Sequence, residues 1–212
     1  VELVDGKITI NEKVSIRIMN DERLATQANH SSIHILQKTL QEVLSDKVHQ
    51  AGSYVDHERL RFDFTFTGKI SEDDILKVEE LANNRISQNI DSEISEMSLD
   101  DAKKMGAMAL FSEKYKDVVR VVKLGDSIEL CGGTHVKNTS EIGRLAILKL
   151  ESKGSNLYRI EGVTGSRIEA SISDAVNHYV IEIGKQLEKA KEILEEARKI
   201  NFEYDFDIML DQ

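Results

Sequence analysis

Apolar positions along the chain change period several times, and each change marks an element. Val1 to Met19 alternates polar and apolar residues around Asp5-Gly6 and predicts strands about a turn. From Asp21 to Leu44 the spacing becomes helical. Ile33, Leu36, Leu40, Val43 and Leu44 recur every three or four residues, the stripe of an amphipathic helix. Leu60, Phe62, Phe64 and Phe66 then alternate with Arg61, Asp63 and Thr65, which predicts a strand with one apolar face. Ser71, with Asp74 three residues on, reads as the capped start of a second helix running to about Asn89. A short helical stretch near Asp100–Met105 follows. Strands are then predicted at 118–124, 127–131, 144–151 and 158–163, separated by Gly125, Gly132-Gly133, Gly143 and Gly154.

Residues 166 to about 200 read as one long helix with Ile168, Ile172, Tyr179, Ile183, Leu187, Ala190 and Leu194 along one side. So long a helix is expected to pack on something, as a linker or as the arm of a homodimer. The predicted class is α+β, with helices packed on an antiparallel sheet in two layers. Three regions are expected: 1–20, a remnant of a preceding β region; 21–165, the main domain; and 166–212, a long helix and tail. The unstarted strand pattern at Val1 is expected of a chain cut from a longer one.

Composition narrows the function classes. Hydrophobic residues make up 40% and charged residues 31%, which suits a globular domain rather than a disordered chain. No apolar run approaches the roughly 20 residues of a membrane helix, and no secretion signal is visible. The single cysteine, Cys131, cannot form an internal disulfide, so a reducing, cytoplasmic setting is expected. A net charge of −10 argues against nucleic acid at first. Residues 100–167, however, carry 12 basic and 9 acidic side chains, so this middle segment is the part able to meet phosphates.

The candidate chemistry lies in two pairs. His30 and His34, four apart on the first helix, leave the same face one turn apart. Cys131 and His135 have the same spacing across Gly132-Gly133-Thr134, where two glycines let the backbone fold tightly. Either pair alone is more often a surface or core feature than a metal site, the Cys-His pair still more so. Together they offer three imidazoles and a thiolate, a donor set suited to Zn²⁺. A metalloprotease is excluded, because Ser31 rather than Glu follows the first histidine. Glu129 lies two residues before Cys131 on the same strand face, so its carboxylate is a candidate base or outer partner of the site; a solvated strand-end carboxylate is the alternative.

Asn29-His30-Ser31-Ser32-Ile33-His34 and Cys131-Gly132-Gly133-Thr134-His135-Val136 resemble the two metal motifs of alanyl-tRNA synthetase editing domains. Further matches are Gln50-Ala51-Gly52-Ser53, Arg59 to Phe64, Ala109 to Tyr115 and Arg159 to Gly165. The resemblance covers about residues 15–170. It departs at Ile33, where the family usually has a hydroxyl between the histidines. The resemblance implies a zinc-dependent hydrolase for esters of serine or glycine wrongly joined to tRNA(Ala). The ATP-using aminoacylation domain and a C-terminal domain would lie outside this chain. His30, His34, Cys131 and His135 would be the metal ligands. Gln50, Glu129 and Thr134 would serve catalysis, and Ser53, Lys114 and Arg159 would meet the substrate. A stabilised turn at 50–53 and plain surface charge at Lys114 and Arg159 are the competing readings. Two other functions remain open: a free-standing deacylase of the same family, and a non-catalytic zinc module that binds RNA or protein.

Overall fold

The computed structural model describes residues 5–7, 9–108 and 117–200. Residues 1–165 and 166–212 form separate compact units. The first unit contains α1 (Asn20–Val43), β1 (His49–Val55), β2 (Leu60–Thr65), α2 (Glu72–Ser87), β3 (Ser92–Ser98), α3 (Leu99–Lys104), β4 (Val118–Leu124), β5 (Ser127–Leu130), a 3₁₀ turn (Thr139–Ile142), β6 (Leu145–Gly154) and β7 (Leu157–Thr164). The described part of the second is helix α4 (Arg167–Lys199). The chain is α+β, as its pattern predicts.

Two antiparallel sheets share the first unit. One has the order β1-β2-β7-β6 and the other β3-β4-β5. The alternation in β2 sets the core of the larger sheet: Leu60, Phe62 and Phe64 are fully buried and pack with Leu36, Leu40 and Ile160. On the opposite face of β2, Asp63 pairs in register with Arg159 of β7 and accepts two hydrogen bonds from its guanidinium, at 2.7 and 2.9 Å. A smaller core of Ala102, Val119, Val121 and Leu130 supports the second sheet.

Helix α1 contacts strands of both sheets and also packs on α2. This central place explains why its burial extends beyond the predicted stripe. Ala28, Asn29 and Ser31 to Gln37 are all buried. Asn29, Ser31, Ser32 and Thr39 are hydrogen-bonded locally or across elements, which makes their burial tolerable, while His34 Nδ1 and Gln37 Oε1 have no hydrogen-bond partner among the described residues. Ser32 and Thr39 donate to the carbonyls of Ala28 and Ile35, four residues back. Asn29 donates to the Asp56 carbonyl and accepts from the Thr164 hydroxyl, tying α1 to the β1–β2 turn and to the end of β7. The helix is thereby tied to two other segments at the residue that precedes His30.

Helix α2 starts where Ser71 predicts. The Ser71 hydroxyl accepts from the Asp74 backbone and the Asp74 carboxylate accepts from the Ser71 backbone. Two expectations are corrected. The described residues between 5 and 19 belong to neither sheet, so the alternation there pairs with no described strand; residues 9–12 instead close a turn in which the Glu12 carboxylate accepts from Thr9. The 50–53 segment is not a turn but part of β1, with a bulge between Gln50 and Gly52.

Candidate metal centre

The positions of the four donors follow from backbone constraints. Strand β5 is fixed between β4, which it pairs from Ser127 to Leu130, and Met108, which brackets it by two backbone hydrogen bonds. Cys131 therefore leaves β5 at a defined point. Its N–H donates to the Arg120 carbonyl, and Arg120 Nη1 donates to the carbonyls of Cys131 and Gly133 at 2.7 and 2.8 Å. One arginine thus clasps both ends of the Cys-Gly-Gly corner. Further on, the Val136 N–H donates to Ser31 Oγ, the Lys137 carbonyl accepts from the Ser92 N–H, and the Thr139 N–H donates to the Ile90 carbonyl. The loop from Cys131 to Asn138 is pinned to α1 and to the start of β3.

That pinning brings His30, His34, Cys131 and His135 into one cluster whose ligand atoms lie within 4.8 Å of one another. Cys131 Sγ is 3.5 Å from His30 Nε2 and 3.3 Å from His135 Nε2. A tetrahedral zinc with the usual bond lengths places neighbouring donors about 3.3–3.7 Å apart, so these separations fit the edges of such a site. The donor chemistry fits as well. Burial, before all, holds the His34 imidazole down to about 3 and that of His135 to about 2, and it lowers His30 in the same direction. All three are therefore neutral at physiological pH, the form that binds a metal. Burial pushes the Cys131 thiol up, so a thiolate here needs a cation beside it.

Each imidazole meets the protein through its other nitrogen. His30 Nδ1 is 3.1 Å from the Thr134 carbonyl, which can only accept, so the proton sits on Nδ1 and Nε2 is left as a lone pair. His135 Nδ1 is 3.1 Å from Ser31 Oγ. His34 Nδ1 is 3.4 Å from Glu129 Oε2, too poorly aligned for a good hydrogen bond. Glu129 itself is 1% exposed and accepts from Ser127 Oγ at 2.9 Å. Burial raises its carboxyl to about 7. His34 and His135 close the inner side of the cluster, while His30 and Cys131 are half-buried and form its accessible side.

The remaining predicted residues divide. Gln50 and Ser53 lie on β1, where Gln50 Nε2 donates to Ser53 Oγ at 3.1 Å; among the described residues no hydrogen bond joins either to the cluster. Arg159 is engaged by Asp63. Thr134 contributes its backbone carbonyl to His30. Lys114, with the Ala109–Tyr115 motif, lies outside the described residues. Arg120 and Ser31 are the residues the motif reading did not single out. A lone cation inside the apolar run Val118-Val119-Arg120-Val121-Val122 was the available signal for the first.

The chain is similar in sequence to known proteins along most of its length. Residues 119–161, which hold Arg120, Glu129, Cys131 and His135, match the family described as the threonyl and alanyl tRNA synthetase second additional domain. An alanine–tRNA ligase of Staphylococcus epidermidis is 45% identical over 202 residues, covering 91% of this chain and 23% of the relative. The alanine–tRNA ligase of Bacillus anthracis is 43% identical over 195 residues, 92% of this chain and 22% of the relative. That of Halalkalibacterium halodurans is 48% identical over 162 residues, 76% and 18% respectively. The chain spans less than a quarter of the length of these relatives. It is homologous to a segment of the alanine–tRNA ligases, one that carries sequence of the second additional domain of threonyl and alanyl tRNA synthetases.

Proposed function

We propose that this chain is the hydrolytic editing segment of an alanine–tRNA ligase, cleaving the ester of serine or glycine wrongly joined to tRNA(Ala). The observation that carries the reading is the convergence of three neutral imidazoles and one thiol from two segments about a hundred residues apart. The need for such a site is energetic. One missing methyl or one added hydroxyl changes pocket binding by only about 1–3 kcal/mol, so a second, hydrolytic selection is required. A bound Zn²⁺ supplies Lewis acidity toward an ester carbonyl.

The protein's own groups prepare the site. Thr134, through its carbonyl, and Ser31 and Glu129, through their side chains, face the outer nitrogens of the rings, leaving the inner nitrogens to the cation. Glu129 is 1% exposed and lies against His34 Nδ1, which supports the role of outer partner over that of a base in contact with substrate. Substrate enters beside His30 and Cys131, past Gly132, around which a Cβ would meet open space. The polar pair Gln50 and Ser53 on β1, together with Thr134, remains our proposal for contacts with the amino acid, and Lys114 and Arg159 for contacts with the tRNA end. The role implies a cytoplasmic setting; no described helix is long and apolar enough to cross a membrane.

Seryl- and alanyl-tRNA(Ala) offered to the zinc-loaded chain give selective loss of the seryl ester, followed as acid-precipitable label. Cys131→Ala abolishes that loss by removing a donor. Unchanged turnover in that variant rules out the site. A closed four-donor site is also what a structural zinc module uses. Full zinc occupancy with no turnover, even in the full-length ligase, would establish that second reading.

For α4 we propose pairing with a second copy. Ile172, Val176, Tyr179, Ile183, Ala190 and Ile193 follow alternating four- and three-residue steps, with Gln186 completing the series. Ile172, Val176, Tyr179, Ile183 and Ile193 are about half exposed or more. Sedimentation equilibrium is expected to show a dimer that Ile183→Glu dissociates; a monomer at high concentration removes the proposal.

A further inference from the structure

We propose that Ser31 is a positioning residue for His135: its hydroxyl receives the ring through Nδ1, so that Nε2 is turned toward the metal. The inference rests on the metal reading given above. Ser31 is fully buried on α1, and its Oγ reaches two groups of the Cys131–Asn138 loop, 104 and 105 residues away in sequence. It lies 3.1 Å from His135 Nδ1 and accepts the Val136 N–H at 3.1 Å. It is the one side-chain oxygen among the described residues that bonds this loop next to a donor ring.

Counting protons shows why a hydroxyl suits the place. A ligand Nε2 must present a lone pair, so a neutral His135 carries its hydrogen on Nδ1 and donates it outward. A serine oxygen has two lone pairs. One accepts the Val136 N–H and the other the His135 Nδ1–H. Its own hydrogen can then turn to a carbonyl of its helix, as that of Ser32 does to Ala28. Without the metal, the same hydroxyl can donate to an unprotonated Nδ1 while Nε2–H faces Cys131 Sγ, 3.3 Å away. The contact therefore survives either placement of the ring hydrogen. An alanine would leave two buried N–H groups of the loop without a partner, and His135 free to rotate.

The test compares wild type, Ser31→Ala, Ser31→Thr and Ser31→Val. Zinc affinity is measured by competition with a chromophoric chelator, and the imidazole nitrogens are read by long-range ¹⁵N–¹H NMR of the zinc-loaded chain. Ser31→Ala is expected to weaken zinc binding about 10- to 100-fold and to lose the slowly exchanging Nδ1–H of His135. Thr and Val have nearly the same shape. Recovery by Thr and not by Val therefore assigns the effect to the hydroxyl rather than to packing. Equal affinity and an unchanged Nδ1–H in Ser31→Ala overturn this inference and leave the metal reading standing. Failure of the wild type to take up one zinc overturns both.

Discussion

Gly133→Ala is expected to weaken metal binding by at least about a hundredfold, while Gly132→Ala leaves it unchanged. The two glycines are neighbours and neither has a positive φ, so alanine is allowed by the backbone at both. They differ in what a Cβ would strike. At Gly132 it meets nothing within 4 Å. At Gly133 it falls 2.1 Å from His30 Cε1 and 2.5 Å from His30 Nδ1, well inside van der Waals contact. One of the two must move. The loop cannot yield cheaply, because Arg120 holds the carbonyls on both sides of the corner. The imidazole must therefore swing away, losing its bond to the Thr134 carbonyl and its place beside Cys131 Sγ. The site would lose one of its four donors while the fold stays intact. Zinc competition on the two variants, with thermal unfolding as the control for folding, checks this; tight binding by Gly133→Ala would show that His30 is not a ligand.

The contrast between the two glycines marks how far the sequence could be read. The four donors were legible because metal binding leaves a local signature: two residues one helical turn apart, and two more across a glycine corner. The strands and caps with regular period were legible for the same reason, as in Leu60–Phe64 and Ser71–Asp74. What holds the donors in place left no such mark. Ser31, Arg120 and Asn29 act on groups distant in sequence or through backbone carbonyls, and neither relation has a spacing to recognise. The near-complete burial of α1 was hidden too. A stripe at helical period describes one face, whereas α1 meets strands of both sheets and buries polar residues that read as its solvent side. Strands β1 and β3 escaped because Gly52 and a bulge interrupt the first, and the second is largely exposed, without a clean apolar face.

Burying three neutral histidines has a consequence in acid, and the chelator-treated chain should lose stability as pH falls from about 6.5. The folded state keeps His34 neutral down to about 3 and His135 down to about 2, whereas both are protonated near 6.5 once the chain unfolds. Below 6.5 the unfolded state binds more protons, so each histidine removes roughly 1–2 kcal/mol per pH unit until its folded value is reached. Glu129 acts in the opposite sense. Its carboxyl is raised to about 7 in the fold, so between 7 and its unfolded value of 4.5 the folded state takes up the extra proton and gains stability as pH falls. The two histidines outweigh the one carboxyl. Between about 6.5 and 4.5 the net loss corresponds to about one proton per pH unit, and below 4.5, where Glu129 no longer opposes, to about two. By about pH 3.5 the sum is several kcal/mol, comparable with the whole stability of a domain this size. Glu129→Gln removes the opposing carboxyl and should roughly double the slope above 4.5. Urea unfolding of both proteins in chelator across this range measures the slopes directly. A wild-type stability that stays level from 6.5 to 4.5 would mean that the rings can charge inside the fold, and hence that the cluster is far more open to water than its burial describes.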